Sequence, residues 1–363
     1  VAPGKTPSSK TPSSPRRITL NHVAERAGVS RSAASFVMSG RTDQRLSAEV
    51  FARVRAAAEE LGYKPNLTAK TLRTGRSGTV ALVSDFVSTT SFASTMVRGA
   101  LEELCQRDSL LFTVDTHGRE ELESRLLDSL LARNIDGVLY ASMFTRSVTV
   151  PPVLKDTPVV LLNCLSDDGG GISVIPDEAS AGADAARLLL EAGHLRDIWF
   201  VGSMPPGQVG GTIWPPWAPL ALSERREGID RALKNAGTSL AGSVVVEDDW
   251  DIANGRAAVA GLLASGERPR ALICVNDAVA IGAGQALRAA GLRIPDDVSL
   301  VSFDGTPLAQ AGEPALTTIA LPHLELGRRA ASLLFDPDRT PRRIRVPMPV
   351  VPGGSIAGPR TGL

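Results

Sequence analysis

From Thr79 onward the chain alternates two hydrophobic patterns. Short runs rich in Val, Ile and Leu, bounded by Asp, Asn, Gly or Pro, are interleaved with longer stretches whose apolar positions recur every three or four residues. The first pattern predicts buried strands and the second helices, and their alternation predicts a doubly wound parallel sheet. Predicted strands are TVALVSD (79–85), LLFTVD (110–115), IDGVLYA (135–141), PVVLLN (158–163), DIWFVGS (197–203), SVVVE (243–247), ALICVND (271–277), DVSLVSFD (297–304) and the crossing segment LTTIAL (316–321). Predicted helices include 91–107, 180–193, 224–237, 254–266 and 277–291. Nine or more strands point to two sheets, with the break near Pro176, where one strand–helix series stops and another begins.

The N-terminal segment has only the helical pattern, in short pieces. In TLNHVAERAGVSRSAASFVMSG, Thr19 is placed to cap a first helix carrying Leu20, Val23, Ala24 and Ala27 on one face. Gly28 permits a sharp turn, and Ser30 caps a second helix from Arg31 to about Met38. Ala33, Ala34, Val37 and Met38 can face the first helix, which leaves Arg31, Ser32, Ser35 and Phe36 outward. Ser47 caps a third helix, with Val50, Val54, Ala57, Ala58 and Leu61 inward and Gly62 at its end. This reads as an all-α helix-turn-helix head. The following YKPNLTAKTLRTGRSG is too short and polar to be a stable helix alone, so it is either a linker or a helix that folds on docking. The expected divisions are a disordered tail at 1–15, the head at 16–63, a hinge at 64–77 and the body at 78–350. Within the body, one subdomain takes 78–176 and about 321–348, and the other takes 177–320 and the C-terminal end.

Charge changes this picture. The formal net charge is zero, but residues 1–76 carry 14 Lys/Arg against 5 Asp/Glu, and the remainder carries 25 against 34. One end is suited to approach phosphate while the rest is repelled by it. The absence of a long apolar run or a signal-like segment argues for a cytoplasmic protein without a membrane partner. Cys105, Cys164 and Cys274 are far apart and read as buried free thiols. His22 and His117 have no partners at metal-ligand spacing, and His194 at a helix end reads as structural. No GxxxxGKS/T loop, HExxH or GxSxG is present, and GAGQAL at 282–287 lacks the dinucleotide fingerprint. No metal, cofactor or enzymatic activity is therefore expected.

Polar residues recur at the strand ends: Asp85, Asn163, Asn276, Asp277 and Asp304. Such residues are often just helix caps, but their shared level favours a ligand cleft beyond the carboxyl ends of the strands. With Arg225, Trp250 and His323 they make a set suited to a sugar, in which polar groups bridge hydroxyls and an aromatic face meets C–H surface. The stretch 204–219, with two tryptophans between prolines, reads as a surface excursion, with a lid over the cleft as the alternative.

The segments LNHVAERAGVSRSAASFVMSGR, SAEVFARVRAAAEELGYKPN and AKTLRTGRSGTVALV resemble the LacI/GalR family of bacterial transcriptional regulators, and the resemblance extends to about residue 350. It implies a periplasmic-binding-protein-like body of two doubly wound subdomains, and a homodimer that binds operator DNA under the control of a small effector, most often as a repressor. It places Arg31, Ser32 and Phe36 at base edges, and Thr19, Ser30 and Ser35 are further candidate DNA contacts beside them. Arg31 has the chemistry for a bidentate contact to guanine; at Phe36, contact with a thymine methyl and no base contact both stay open. Lys70 and Arg73 flank Leu72, which matches the leucine that the family wedges into the minor groove. For the effector, the resemblance supports Arg225, Trp250, Asn276, Asp304 and His323, while Asn163 stands where some members have aspartate.

Overall fold

The computed structural model describes residues 18–39, 46–64, 71, 75–87, 91–203, 219–247 and 249–359. The tail, Arg16 and Arg17, the hinge residues Lys70, Leu72 and Arg73, and the tryptophan-bearing stretch 204–218 lie outside them. The chain forms two compact units, Val1–Ser77 and Gly78–Leu363.

The first unit holds helices α1 (Leu20–Ala27), α2 (Arg31–Met38) and α3 (Ala48–Glu60). Val23, Ala24, Ala27, Ala34, Val37, Val54, Ala57 and Ala58 make its core. Small residues dominate because helices this short must approach closely to bury enough surface. Gly28 turns the chain at φ 65°, a left-handed conformation that suits glycine. Ser30 Oγ accepts from the Ala33 amide at 3.1 Å, and Ser47 Oγ from Val50 at 3.4 Å. Each serine thus satisfies an amide that the first helical turn leaves without a partner. An ion pair from Arg26 to Glu60, 2.8 Å, ties α1 to the end of α3.

The second unit contains two six-stranded sheets. The first has the order β11–β5–β4–β3–β1–β2 and is parallel throughout. Its strands are β1 (Thr79–Ser84), β2 (Leu110–Asp115), β3 (Gly137–Val148), β4 (Val159–Ser166), β5 (Ile172–Pro176) and β11 (Arg342–Val346). The second has the order β12–β10–β9–β8–β6–β7, built from β6 (Ile198–Ser203), β7 (Gly242–Val245), β8 (Ala271–Cys274), β9 (Ser299–Asp304), β10 (Thr317–Ala320) and β12 (Val350–Val351); only β12 is antiparallel. Helices α4 (Ser91–Cys105), α5 (Glu120–Leu131) and α11 (His323–Leu333) go with the first sheet. The others are α6 (Glu178–Glu191), α7 (Leu220–Asn235), α8 (Ile252–Ala264), α9 (Asp277–Ala289) and the short α10 (Pro307–Gln310). The chain crosses between the sheets three times: after β5, after β10 and after β11.

Three strands, β5, β11 and β12, and the helices α5, α10 and α11 are absent from the sequence-predicted set. A further difference concerns the thiols: Cys164 and Cys274 are buried, but Cys105 is exposed, because it lies on the solvent side of α4, next to the buried Leu104.

The placement of Glu178 and Arg225 is set by glycines where α6 and α7 cross. A Cβ placed on Gly182 would lie 2.0 Å from the Arg225 carbonyl oxygen, and one on Gly228 would lie 2.0 Å from that of Ala179. Helices α6 and α7 therefore meet backbone to backbone, which fixes Glu178 in the first turn of α6 and Arg225 in the second turn of α7 relative to each other.

Candidate functional site

In the first unit the exposed positions gather at the start of α2. Ser30, Arg31 and Ser32 are solvent-exposed and Ser35 is half-buried. Thr19 is exposed too, and its amide donates to His22 Nδ1 at 3.3 Å. Arg31 makes no ion pair among the described residues, so its five donors are available to a partner. Phe36 departs from the expected outward position. It is 6% exposed and packs edge-on against Phe51 on α3, ring centroids 6.5 Å apart. Burying a ring of this size is worth roughly 1.5–3 kcal/mol, and the aromatic edge contact adds to it. In this conformation Phe36 holds α2 against α3 and its ring is not presented to solvent.

In the second unit the candidate residues fall into two groups and one outlier. The group on the second sheet centres on Arg225, in the second turn of α7. Its Nε and Nη2 each lie 2.8 Å from Glu178 Oε2, its Nη1 donates to the Val275 carbonyl at 2.6 Å, and its guanidinium lies over the Phe303 ring at 4.0 Å. Both charged residues are buried, Arg225 at 6% and Glu178 at 1% exposure. The desolvation of Glu178 raises its pKa, against the pull of Arg225. Asp304 ends β9 at φ 105°, a conformation rarely adopted by residues other than glycine. Among the described residues nothing donates a hydrogen bond to its carboxyl. Burial pushes its pKa up to about 7; Arg225 works against that shift, and Asp277 and Glu178 add to it. Asn276 caps α9 by accepting from the Val279 amide at 2.8 Å, and its Nδ2 donates to the Trp250 carbonyl at 3.0 Å. Each end of that amide keeps one further bonding position. Asp277 is different: it accepts from Ser302 Oγ, Thr318 Oγ1 and both the amide and hydroxyl of Thr306 at 2.6–2.9 Å, so it is a brace between strands.

The group on the first sheet is built around a bulge. The β3–β4 register jumps between Ala141 and Arg146, so residues 142–145 bulge out within β3 before pairing resumes at Arg146. That excursion aims Ser142 and the Met143 amide at Asp85, 2.9 and 3.1 Å, and Arg146 Nη2 joins them at 3.1 Å. Bulges beside functional sites commonly re-aim side chains in this way. Asn163, in a left-handed conformation at φ 58°, accepts from Thr145 Oγ1 at 2.7 Å and donates to the Ser142 carbonyl at 3.0 Å. A cavity of about 180 Å³ opens beside Asp85, lined also by Thr116, Glu123, Tyr140 and Arg146. Tyr140 Oη donates to Glu123, whose carboxyl is held above its ordinary pKa by burial.

The outlier is His323, at the start of α11. It is buried, and desolvation pulls its pKa down to about 4. His194 is buried as well, with Nε2 2.9 Å from both Ser299 Oγ and the Ala357 carbonyl; it ties the C-terminal segment to the second sheet.

Sequence reasoning missed Glu178, Phe303, Ser142, Thr145 and Arg146. Phe303 stands beside Asp304, which sequence reasoning picked out, and Glu178 lies just past the boundary at Pro176, but only the fold reveals their pairing with Arg225. The bulge has no sequence signal, because 142–148 continues the strand pattern of β3.

Comparison with known proteins gives a consistent result. Residues 19–66 match "Bacterial regulatory proteins, lacI family", and residues 78–352 match "Periplasmic binding proteins and sugar binding domain of LacI family". The chain is 32% identical over 320 residues to the ribose operon repressor of Escherichia coli K12, covering 87% of this chain and 92% of that one. It is 33% identical over 348 residues to the sucrose operon repressor of Shigella flexneri, covering 92% and 98%. Among solved structures it is similar to the Lac repressor dimer bound to operator and the anti-inducer ONPF, with TM-score 0.73 and 22% identity over 94% of this chain and all of that one. No helix among the described residues is long and apolar enough to cross a membrane.

Proposed function

Because the chain belongs to the LacI family of bacterial regulatory proteins, a family of DNA-binding transcriptional regulators and not of enzymes, we propose that it is a homodimeric operon repressor in the cytoplasm whose hold on its operator is set by an uncharged sugar. One observation carries the ligand class. Asp304 presents a carboxyl with no donor of its own among the described residues, beside Arg225, whose charge is already met by Glu178. On the first sheet Arg146 is likewise met by Asp85. With each cation paired, little attracts an ionic ligand, while Asp304 and Asn276 retain positions suited to hydroxyl groups. The ribose and sucrose repressors among its relatives are consistent with that class.

For DNA, the exposed first turn of α2 supplies Ser30, Arg31 and Ser32, with Ser35 and Thr19 beside it, and the hinge supplies Lys70, Leu72 and Arg73. One recognition helix reads only a few base pairs, so two heads are required for an operator. The edge strand β2 supports pairing of two copies: Leu110 and Phe112 are 62% and 45% exposed, and Leu101 on α4 is exposed as well. An apolar, unpaired edge of this kind is normally covered. The test is selection of duplexes from a random pool by the full chain. The expected product is a two-fold symmetric site of two half-sites, bound less tightly as salt rises. No enrichment, or enrichment of single half-sites only, would refute the dimeric repressor.

A further inference from the structure

Charged residues from two of the three crossings meet at one guanidinium, while the carboxyl of one of them, Asp177, also caps α6 by accepting from the Ser180 amide and hydroxyl. Arg345, on β11 just before the last crossing, grips Glu224 of α7 with two hydrogen bonds, Nη1 to Oε2 and Nη2 to Oε1, both 2.7 Å. Asp177, the first residue after the β5 crossing, lies 3.9 Å from the same guanidinium, and its amide donates to the Val346 carbonyl at 2.9 Å. Glu224 immediately precedes Arg225, and Asp177 immediately precedes Glu178, so two adjacent pairs of residues are wired in parallel. Glu178 and Arg225 lock α7 into the second sheet's half, and Glu224 and Arg345 lock it onto the edge strand of the first. Helix α7 also packs against β3, so it already spans both halves.

From this arrangement we infer that Glu224 and Arg345 are positioning residues, a clasp across the crossings that holds the two halves of the body in one relative orientation and passes movement at Arg225 to the first sheet. The inference rests on the proposed regulatory reading and deepens it, by assigning the contact through which that site is read out. A planar, two-bonded Arg–carboxylate pair suits the task because it constrains both distance and angle. The pair is only partly buried, with side-chain exposures of 32% for Arg345 and 13% for Glu224. It can therefore break and re-form during a domain movement, whereas the buried Glu178–Arg225 pair must move as a unit.

The test uses the full chain, the variants E224Q and R345Q, and the charge swap E224R/R345E. Two readouts are taken: amide exchange across the body, and affinity for the duplex that the parent selects from a random pool. Either single variant should speed exchange at 177–181 and 343–347 at least tenfold while leaving central strands β1 and β8 as in the parent, and should change operator affinity at least fivefold. The swap should restore both. Unchanged exchange at the crossings would overturn the clasp, as would acceleration spread evenly over the body, which marks a general loss of stability. Faster exchange at the crossings with operator affinity within twofold of the parent would overturn the positioning role. If the parent selects no duplex, the regulatory reading fails, and the exchange pattern still decides whether the clasp exists.

Discussion

Two arginines in this chain face opposite situations, and their mutations should behave differently. Arg31 is exposed and without an ion pair among the described residues. Arg31→Ala should cost about 1–3 kcal/mol on the selected operator and nothing on unrelated duplex, measured by titration of both. Equal losses on both would make it a phosphate contact. Arg225 is buried against Glu178, so Arg225→Ala would strand a buried carboxylate, at a cost of about 3–5 kcal/mol. Asp304 is the cleaner probe of the ligand site because no hydrogen bond among the described residues depends on its carboxyl. Its pKa, about 7 in the fold, stands above the ordinary carboxylate value. The folded state therefore keeps a proton that the unfolded chain releases, and this residue's contribution is full below about pH 4 and lost as pH rises through 7. His323, pulled down to about 4, has the opposite sign: its contribution is present above about 6.5 and fades as pH falls toward 4. Asp304→Asn should therefore raise stability at pH 8 by an amount on the order of 1–3 kcal/mol and have little effect at pH 4, as read by urea unfolding. No gain at pH 8 would show that the carboxyl is not strained by burial. Sequence patterns locate Asp304 and Asn276 because strand ends announce themselves. They misplace Phe36, since helical spacing leaves an intermediate position that the neighbouring Phe51 pulls inward.

Among the elements, the crossing of α6 and α7 is the most tightly specified. Gly228→Ala puts a Cβ 2.0 Å from a backbone oxygen on the facing helix, and neither backbone has a flexible end to yield. The helices must separate, and Glu178 and Arg225 separate with them. The variant should lose stability by about 2 kcal/mol or more, as overpacking does, and bind ligand far more weakly. Full retention of both in unfolding and binding measurements would show that the crossing is looser than its geometry. Elements with strong periodicity are legible in the sequence: the first three helices, the serine caps of α2 and α3, and strands such as 110–115 and 271–274. Those that escape it do so for physical reasons. Strand β11 reads RRIRV, an edge strand whose charges conceal it. Strand β12 has two residues. Strand β5, ISVIP, ends in the proline that reads as a boundary, although it is buried along its whole length.

At the scale of the whole molecule, the asymmetry of charge is the simplest clue. A basic first unit and an acidic second one let a single chain approach DNA at one end only. Two sheets, parallel but for β12, joined by three crossings make up the body, and this division into two sheets is legible from strand number alone. What is not legible is how the halves are tied, because Arg345 and Glu224 lie 121 residues apart. The proposed regulation requires that a sugar held at Asp304 change the grip on DNA. Its most direct test is titration of the selected operator with the full chain, with and without each member of a panel of neutral mono- and disaccharides, for the parent and for Asp304→Asn. Typical coupling energies predict that one sugar shifts the parent's operator affinity by roughly 5- to 150-fold. The same sugar should leave Asp304→Asn unmoved, although that variant binds operator like the parent in its absence. A panel without effect on the parent, or a full response that survives in Asp304→Asn, would refute regulation by a sugar at Asp304.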